Sequence, residues 1–508
     1  MVAAPSVPGL PRPAQVRPIA LSQLAAAVGP DSTLARLVGA DASVTGITSG
    51  TAFVRPGDLF AGLPGAHAHG ASFAADAVAA GAVAVLTDEA GAALVPESVP
   101  ALIVDDVRAR LGAVSAAVYE YPSAAMDVLG VTGTSGKTTT TFLMRAALVA
   151  AGRAPGLIGT VATMIGDEEI KTGFTTPEAP EVHALLAVMR DRGATDVAME
   201  VSSHALAMGR ASGIGFAVAG FTNLSQDHLD FHADMDDYFA AKARLFDGRA
   251  RRAVIVIDDE WGRRMAEIAG PNAVTVSTTG DRAADWRAVD VHDTPSGGTS
   301  FAVRGPVSLD TGCAVPGRYN VANALLALAI LAEAGVPAEV AAPAIATATV
   351  PGRMERIDVG QPFLAVVDYS HKPAAVDGAL QALRPLTAGR LIIVLGCGGD
   401  RDRGKRPHMG EIAARGADLL IVTDDNPRSE DPVVIRRAML DGALAVPASE
   451  RGEVREIGDR AQAIAAAVRE ARPGDTVLVA GKGHETGQEI GGTVHPFDDR
   501  VVLREVLT

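Results

Sequence analysis

Cysteine and long apolar segments are scarce in this chain of 508 residues, and each scarcity excludes a class of protein. The two cysteines, Cys313 and Cys397, lie far apart in the sequence, which argues against a disulfide framework and favours a reducing compartment. No segment reaches the roughly 18 uninterrupted apolar residues that a membrane-spanning helix requires. The sequence therefore predicts a cytoplasmic protein that does not associate with a membrane.

Basic residues are outnumbered, with 45 Lys and Arg against 60 Asp and Glu and a formal net charge of −15. Because nucleic-acid binding needs a basic surface, we expect no nucleic-acid partner. Residues 1–17 contain four prolines but no apolar segment typical of a signal peptide, so we predict a disordered tail there. The length is that of about three domains, and the hydrophobic fraction of 48% is sufficient for large cores.

The most informative segment is a glycine-rich turn at residues 133–139, Gly-Thr-Ser-Gly-Lys-Thr-Thr. It follows an apolar run typical of a buried strand and precedes a helical pattern. Such a turn directs backbone N–H groups and the positive end of a helix dipole at a phosphate. Lys137 would reach the outer phosphates of a nucleotide, and the Thr138 hydroxyl would bind magnesium. Val131 stands where this pattern has its first glycine, so a plain strand, turn and helix with an exposed lysine is the alternative.

Alternating strand and helix patterns divide the chain into α/β units. Residues 18–126 predict a small unit, whose first helix is expected at Ile19–Val28. Residues 127–349 predict a central ATP-binding unit built around the glycine-rich turn. Residues 350–508 predict a Rossmann-like unit. The predicted fold is therefore α/β, with three domains and parallel sheets.

Polar residues follow the predicted strands of the central unit, where ligands bind in open α/β sheets. Glu200 follows one strand and His228 the next, and both are suited to join Thr138 in a magnesium site. Each of them alone is better explained as a structural polar residue. Lys242 lies in a helical pattern that by itself assigns it no role. Asn320 begins a long alanine-rich helix, where it would cap the helix or bind an adenine edge.

The third unit repeats this arrangement four times, with polar segments after strands predicted to end at Val367, Leu395, Val422 and Ala480. Parallel strands would bring these segments to one edge of one sheet. Ordinary turn chemistry explains the glycines and the Asn-Pro pair, but not the density of Arg, Asp and Glu. Arginine beside glycine in a cleft is suited to bind a carboxylate or a phosphate.

Taken together, these motifs resemble those of the Mur ligases, the ATP-dependent amide-forming enzymes of peptidoglycan synthesis. The matching segments are G-T-S-G-K-T-T, E-V-S-S-H, T-N-L-S-Q-D-H-L-D, G-R-Y-N-V-A-N, V-D-Y-S-H-K-P, G-C-G-G-D-R-D-R-G-K-R-P, D-N-P-R and G-K-G-H-E. They occur in the order that the family has. The resemblance implies three domains, which bind a UDP-sugar, ATP and an amino acid.

The resemblance also implies a reaction and its partners. ATP would phosphorylate the D-glutamyl carboxylate of UDP-N-acetylmuramoyl-L-alanyl-D-glutamate, and the amine of meso-diaminopimelate would then attack the acyl phosphate. The implied cofactors are ATP and Mg²⁺, and we expect a monomer.

Residues at the family's motif positions take roles by the same resemblance. Lys242 matches a lysine that is carbamoylated in the family, and as a carbamate it would be an anion able to hold a second magnesium. The implied catalytic residues are Lys137, Glu200, His228 and Lys242; the metal ligands are Thr138, Glu200, His228 and Lys242; the ATP contacts are Gly133, Thr134, Ser135, Gly136, Lys137, Thr138, Thr139, Asn320, Arg353 and Asp368; the contacts to the UDP-muramoyl dipeptide are Thr51, His67, Thr175, Thr176, Ser202 and Arg210; and the contacts to diaminopimelate are Arg401, Asp425, Asn426, Pro427, Arg428, Gly481 and Glu485.

Two positions depart from the family pattern. Gly50, Thr51 and Ala52 stand where the family has Asp-Ser-Arg near the uridine, so only a hydroxyl is kept. Met208 replaces a glutamine, and one hydrogen bond to the substrate is expected to be lost. The loop that contains His67 is otherwise explained as solvated surface.

Arg428 bears on the choice of amine, because a guanidinium would pair with the distal carboxylate of diaminopimelate but would face an ammonium in L-lysine. Such a pair contributes roughly 1.5–3 kcal/mol. The alternatives are L-lysine as the amine, a folylpolyglutamate-type ligase, an inactive nucleotide-binding homologue, and an NTPase that couples hydrolysis to motion. The motifs G-C-G-G-D-R-D-R-G-K-R and D-N-P-R together disfavour the folate ligase. Intact Lys137, Glu200, His228 and Lys242 disfavour the inactive homologue.

Overall fold

The computed structural model describes residues 10–28, 32–65, 67–170, 172, 174–294 and 297–508. It forms two compact units, of which the first comprises Met1–Thr275 and Ala329–Ala341 and the second Val276–Leu328 and Ala342–Thr508. Both units combine parallel sheets with helices, so the predicted α/β class is confirmed. The predicted domain boundaries after residues 126 and 349 stay predictions.

A small sheet forms the amino-terminal part of the first unit. Its elements are β1 (Ile19–Ala20), α1 (Leu21–Ala27), β2 (Ala35–Val38), β3 (Ser43–Val44), β4 (Gly46–Thr48), β5 (Asp58–Ala61), α2 (Ala74–Ala79), β6 (Ala84–Thr87), α3 (Glu89–Ala92), β7 (Ala101–Val104) and α4 (Val107–Val118). The strand order is β2-β7-β6-β5-β4, with only β2 antiparallel to its neighbour, and β1 pairs with β3. Leu59, Leu86 and Leu102 of the strands form one core with Leu24 and Leu111 of the helices.

A larger sheet forms the rest of the first unit. Its elements are β8 (Asp127–Thr132), α5 (Lys137–Ala150), β9 (Pro155–Ile158), β10 (Thr163–Ile165), β11 (Glu168–Ile170), α6 (Ala179–Asp191), β12 (Asp196–Glu200), α7 (Ser203–Ala207), β13 (Phe216–Phe221), α8 (Met235–Ala243), β14 (Ala250–Val256) and α9 (Glu260–Ala269). The parallel strands β9, β12, β8, β13 and β14 are neighbours in that order. Because Glu200 pairs with Val131 and Phe221 with Thr132, the segments that follow β8, β12 and β13 lie at one edge.

The second unit contains an antiparallel segment and a carboxy-terminal parallel sheet. Its elements, three of which (β15, α10 and α11) extend into the first unit, are β15 (Ala273–Ser277), β16 (Trp286–Asp293), β17 (Thr299–Arg304), β18 (Ser308–Cys313), α10 (Arg318–Glu333), α11 (Ala338–Thr347), β19 (Glu355–Arg356), β20 (Leu364–Asp368), α12 (Pro373–Leu383), β21 (Leu391–Leu395), α13 (Lys405–Gly416), β22 (Leu419–Val422), α14 (Pro432–Ala445), β23 (Glu453–Glu456), α15 (Arg460–Glu470), β24 (Thr476–Ala480), β25 (Gly487–Ile490), β26 (Thr493–Pro496) and α16 (Asp499–Leu507). The order of the parallel sheet is β19-β20-β24-β21-β22-β23, with only β19 antiparallel.

Aspartate side chains begin many of the helices. In α8, for example, Asp234 Oδ1 accepts a hydrogen bond of 2.8 Å from the backbone N–H of Asp237. Such a carboxylate satisfies an unpaired N–H group and also favours the positive end of the helix dipole. Part of the excess of acidic residues therefore serves at helix N-termini, namely at Asp88, Asp106, Asp234, Asp259, Asp431, Asp459 and Asp498.

Two sequence predictions differ from the structure in detail. The helix expected at Ile19–Val28 begins only at Leu21, because Ile19 pairs in register with Val44 of a short antiparallel ladder. In the carboxy-terminal sheet the four predicted strands are parallel neighbours, but β24, the last of them in sequence, lies between the first two.

The predicted tail at residues 1–17 lies partly outside the described residues, which begin at residue 10. Arg12 does not behave as part of a loose tail. Its Nη1 donates to Asp58 Oδ2 at 2.7 Å and its Nη2 donates to the backbone carbonyl of Phe53 at 3.0 Å. Because Asp58 is buried, this ion pair fixes Arg12 against the small sheet. In the part of the chain that the structure describes, no helix has both the length and the apolar character to cross a membrane.

A buried ion pair joins α15 and α16 to the end of β24. The Arg460 guanidinium donates to both carboxylate oxygens of Asp499 at 2.7 Å and to the backbone carbonyl of Ala480 at 2.9 Å. Neither charged side chain is exposed. Removing one member of such a pair leaves the other charge buried without compensation, which is costly.

We therefore expect Asp499→Asn to lower the free energy of unfolding by about 3–5 kcal/mol, measured by urea denaturation of the full chain. The control is Glu411→Gln, which removes an exposed partner of Arg415 and is expected to change the free energy of unfolding much less, because solvent screens an exposed ion pair. Similar losses in the two variants would contradict the assignment of Asp499 to a buried pair.

Candidate active site

The glycine-rich turn connects β8 to α5 in the first unit. Gly133 has a φ of +146°, and a Cβ built on it would lie 1.8 Å from Thr222 Oγ1. Gly136 precedes the helix with a φ of +90°. Both positions therefore require glycine, the first because a neighbouring loop leaves no space for a side chain.

The segment after β13 holds this turn in place. The backbone N–H of Thr134 donates to the carbonyl of Asn223 at 2.9 Å, and the N–H of Ser135 donates to the Asn223 side-chain oxygen at 3.1 Å. Thr222 Oγ1 donates to the carbonyl of Ser135 at 2.7 Å. The two segments at the carboxyl ends of adjacent parallel strands are thus joined by hydrogen bonds of their own.

Two lysines approach the same backbone carbonyl. The ammonium of Lys137 donates to the carbonyls of Gly133 and Thr134 at 2.8 and 3.0 Å. Lys242 of α8 is buried, and its Nζ donates to the Gly133 carbonyl at 2.9 Å while lying 4.4 Å from the centre of the Tyr238 ring. Burial raises the pKa of Tyr238, so its ring stays neutral beside the ammonium. Two cations beside a turn that opens a helix favour an anionic ligand such as a phosphate.

Glu200 ends β12 as a buried carboxylate. Its Oε1 accepts from the backbone N–H of Thr160 at 2.8 Å and its Oε2 accepts from the Thr160 hydroxyl at 3.0 Å. Thr160 in turn contacts the Thr175 hydroxyl at 2.9 Å. These two hydrogen bonds fix the orientation of the carboxyl group.

The oxygens of Thr138 and Glu200 are chemically suited to magnesium, which prefers oxygen ligands and keeps water or phosphate oxygens in its other positions. His228 is half-exposed, and its Nε2 lies 3.0 Å from Asp227 Oδ2. The imidazole therefore contacts a neighbouring carboxylate. Within the described ranges, no three His, Cys, Asp or Glu side chains are arranged to hold a metal ion. The fit to magnesium therefore rests on hydroxyl and carboxylate oxygens rather than on a preformed cluster.

Further predicted site residues lie next to Glu200. Thr176 Oγ1 donates to the backbone carbonyl of Glu200 at 2.9 Å, and Ser202 caps helix α7. The Arg210 guanidinium lies 2.9 Å from a carboxylate oxygen of Glu178 and 4.7 Å from the centre of the Phe174 ring. Thr175, Thr176, Ser202 and Arg210 are therefore brought together beside the carboxyl end of β12.

For the two predicted site residues near the small sheet, Thr51 and His67, the structure gives a position but no contact with another predicted site residue among the described residues. Thr51 begins a short 3₁₀ helix, Thr51–Phe53. His67 is exposed. The neighbouring His69 has a structural role, because it caps a turn through Ala71 N–H at 3.1 Å and contacts Asp88 at 3.0 Å. The contribution of Thr51 and His67 to binding stays a prediction.

A second group of polar residues lies at the edge of the carboxy-terminal sheet in the second unit. The Asn426 amide nitrogen donates to Glu485 Oε2 at 2.8 Å. The backbone carbonyl of Asp425 accepts from the Gln488 side chain at 2.7 Å. A Cβ on Gly481 would lie 2.6 Å from an Asp425 carboxylate oxygen. The segments after β22 and β24 are therefore in direct contact, as parallel strands predict.

Arg428 is held by its backbone in a left-handed conformation with a φ of +53°. Its N–H donates to the carbonyl of Glu489 at 3.0 Å, and its carbonyl accepts from the N–H of Gly491 at 2.7 Å. The guanidinium donates to the carbonyl of Gly399 at 2.6 Å and lies 3.4 Å from Glu489 Oε2. The hairpin of β25 and β26 thus fixes the position of this arginine.

The other predicted residues of the second unit differ in how firmly they are placed. Asp368 is buried and accepts from the N–H groups of Met354 and Ser370 at 2.7 and 3.0 Å. The Arg353 guanidinium lies 4.0 Å above the Tyr369 ring. The side-chain amide of Asn320 donates to the carbonyl of Pro316 at 2.7 Å, so it supports the start of α10. Arg401, by contrast, is exposed on its loop, and its role stays a prediction.

Comparison with known proteins identifies the family. Three domain descriptions match successive parts of the chain: "Mur ligase family, catalytic domain" at residues 43–119, "Mur ligase middle domain" at 131–331 and "Mur ligase, glutamate ligase domain" at 352–483. A UDP-N-acetylmuramoyl-L-alanyl-D-glutamate--2,6-diaminopimelate ligase of Streptomyces avermitilis is 54% identical over 505 residues, which cover 98% of each chain. The chain belongs to the Mur ligase family.

Two further similarities agree with this assignment. The protein of the same name from Corynebacterium glutamicum is 54% identical over 461 residues, 89% of each chain. A solved structure of a UDP-N-acetylmuramoyl-L-alanyl-D-glutamate--2,6-diaminopimelate ligase is 31% identical, with a TM-score of 0.69 over 97% of this chain and 99% of that one. Membership of the Mur ligase family confirms the expected enzyme class, an ATP-dependent ligase that forms an amide bond. The roles of individual residues stay predictions.

Sequence reasoning missed several residues of this Mur ligase that contact the candidate sites. They are Thr160 beside Glu200, Glu178 beside Arg210, Tyr238 beside Lys242, and Lys482 and Glu489 in the carboxy-terminal sheet. Thr160 closely follows the short strand β9, and a polar residue at a strand end is a signal that the sequence carries. Lys482 lies inside a motif that was recognised, but its burial has no signature in the sequence.

The close contact at Gly133 gives a prediction for this Mur ligase. Gly133→Ala is expected to raise the KM for ATP about tenfold or more, because the turn must move to accommodate the new Cβ. The control is Gly152→Ala, at a position that also has a positive φ, +73°, but where an added Cβ would meet nothing within 4 Å. This control should leave the KM for ATP unchanged. Equal KM values in the two variants would contradict a role for the turn geometry in nucleotide binding.

Proposed function

We propose that this enzyme joins meso-diaminopimelate to the D-glutamyl carboxylate of UDP-N-acetylmuramoyl-L-alanyl-D-glutamate, with ATP as the energy source. The observation that carries the choice of amine is the placement of Arg428 at the same sheet edge as Asn426 and Glu485. A guanidinium, an amide and a carboxylate suit the carboxylate and ammonium of a second amino-acid centre. The names of relatives that are 54% identical agree with this choice. The expected monomeric state stays a prediction.

The reaction requires activation because a carboxylate is a poor electrophile. A carboxylate oxygen of the D-glutamyl group attacks the terminal phosphorus of ATP, and ADP leaves. The amine of diaminopimelate then attacks the acyl carbon, inorganic phosphate leaves, and the amine loses a proton. Lys137 and the backbone N–H groups at the start of α5 would bind the phosphates and stabilise the charge that moves during transfer.

Thr138, Glu200 and His228 would hold Mg²⁺, and Lys242 as a carbamate would supply a further anionic ligand; bound there, the metal would neutralise phosphate charge. The buried position of Lys242 beside the Gly133 carbonyl supports this placement, since a modified side chain would remain next to the turn. Asn320, Arg353 and Asp368 would orient ATP.

The UDP-muramoyl dipeptide would contact Thr51, His67, Thr175, Thr176, Ser202 and Arg210. The last four lie beside Glu200, next to the proposed metal site, where the carboxylate to be phosphorylated must approach the nucleotide. Because ATP and a UDP-linked precursor are cytoplasmic metabolites, we place the reaction in the cytoplasm.

The proposal is tested by phosphate release from ATP in the presence of magnesium and UDP-N-acetylmuramoyl-L-alanyl-D-glutamate, with meso-diaminopimelate or L-lysine as the amine. We expect turnover that depends on diaminopimelate and at least tenfold lower kcat/KM with L-lysine, because lysine lacks the carboxylate that would pair with Arg428. Equal kcat/KM values for the two amines would overturn the choice of amine. Absence of amine-dependent turnover would instead favour the inactive homologue.

Arg428→Met is expected to lower kcat/KM for diaminopimelate roughly tenfold to a hundredfold, the loss of charge-assisted hydrogen bonds to one carboxylate. The effect on L-lysine should be small, which steady-state kinetics with both amines would measure. Arg437→Met is the matched control, because Arg437 is largely exposed on α14 and pairs with Asp441 one turn away. An equal loss of activity with both amines would argue against a role of Arg428 in selecting diaminopimelate.

A further inference from the structure

Lys482 is a fully buried cation at the turn that follows β24. Its Nζ donates to the Asn426 side-chain oxygen at 3.0 Å and to Glu485 Oε2 at 3.1 Å. A buried ammonium is tolerated only when it is paired and hydrogen-bonded. Both partners of Lys482 are residues that the proposed function assigns to the amino-acid substrate.

The contacts of Lys482 determine which way the Asn426 amide points. The Asn426 side-chain oxygen accepts from Lys482 and also from the backbone N–H of Glu489 at 3.0 Å. Because both neighbours are donors, only the oxygen of the amide fits there. The amide nitrogen is therefore directed towards Glu485, to which it donates at 2.8 Å.

The same contacts use one carboxylate oxygen of Glu485, Oε2, and leave Oε1 available to a ligand. Lys482 and Asn426 both donate to Oε2. In the part of the chain that the structure describes, Oε1 receives no hydrogen bond, and the Glu485 side chain is 32% exposed. A carboxylate that is anchored through one oxygen and accessible through the other is prepared to accept a hydrogen bond from a ligand ammonium.

We propose that Lys482 is a positioning residue of the amine-substrate site, which acts through Glu485 without touching the substrate. It donates to Glu485 Oε2 and orients the Asn426 amide that donates to the same oxygen, so that Oε1 meets the distal ammonium of diaminopimelate. This inference rests on the proposed function. It differs from a purely structural role because it predicts an effect on one substrate only.

The test is Lys482→Met, which keeps the approximate length of the side chain and removes the charge and the donors. We expect the KM for meso-diaminopimelate to rise tenfold or more, while the KM values for ATP and the UDP-linked substrate stay within twofold. Arg390→Met is the control for stability, because Arg390 pairs with buried Asp475 at the amino-terminal end of β21, opposite the site. It should lower the melting temperature without changing any KM.

A substrate analogue sharpens the test. L-2-Aminopimelate keeps the reacting amine and the distal carboxylate but lacks the distal amine. Lys482→Met should change its KM less than threefold, since Glu485 has no ammonium to meet. An unchanged KM for diaminopimelate would overturn the inference, and so would equal increases in the KM values for ATP, the UDP-linked substrate and diaminopimelate.

If Lys482→Met does not fold, the test compares two other proteins. One is Glu485→Gln, and the other is the double variant Lys482→Met, Glu485→Gln, in which both charges are removed. Equal KM values for diaminopimelate in these two proteins would support the inference, because Lys482 then acts only through Glu485. A further tenfold rise in the double variant would overturn it. Wild-type protein without diaminopimelate-dependent turnover would refute the proposed function itself, whereas active wild type with an unaffected Lys482→Met variant would refute only this inference.

Discussion

Parallel pairing of strands is the constraint on which both candidate sites depend. In the first unit it brings the segments after β8, β12 and β13 to one edge, where Gly133, Glu200 and Thr222 lie on three different segments. In the second unit it does the same for the segments after β20, β21, β22 and β24. Residues that lie far apart in the sequence become neighbours without any special sequence between them.

Buried charge imposes a second constraint, because this acidic chain places several cations in its interior. Lys242, Lys482, Arg406 and Arg460 are each almost fully buried. Lys482, Arg406 and Arg460 contact carboxylates, and Lys242 donates to the backbone carbonyl of Gly133. Taking a cation out of water is costly even where it is hydrogen-bonded. Conversion of Lys242 to a carbamate would replace that cation by an anion next to the proposed metal site, where a bound divalent cation would compensate it.

The pair of Arg406 and Glu430 illustrates how such charges order a loop. Hydrogen bonds from Arg406, together with the N–H of Asp400, lower the pKa of Glu430 to about 2. Asp400 in turn accepts from the N–H and hydroxyl of Ser429 at 3.0 and 2.8 Å. The loop after β21 and the segment after Arg428 are therefore connected by ionised groups, which holds both at the edge of the sheet.

Much of the fold could be predicted from the sequence, because apolar runs mark strands and glycine-rich or polar segments mark their ends. The grouping of Asn426 with Glu485 also followed from parallel strand order alone. Sequence could not show that β24 lies between β20 and β21, since insertion of a strand is decided by packing of the whole sheet. It could not show the burial of Lys482 either, because a lysine in a turn is normally solvated.

The glycines at the strand ends could be found in the sequence, but the contacts that require glycine there could not. From the sequence, the glycines of the turn after β8 would direct backbone N–H groups at a phosphate, and ordinary turn chemistry would explain those of the carboxy-terminal sheet. In the structure, a Cβ on Gly133 would lie 1.8 Å from Thr222 Oγ1, and one on Gly399 would lie 1.9 Å from the carbonyl of Pro427. Each glycine is thus required by the neighbouring strand-end segment. The tight packing of these segments against each other holds polar groups in fixed positions, and fixed groups can select a substrate because little order is lost on binding.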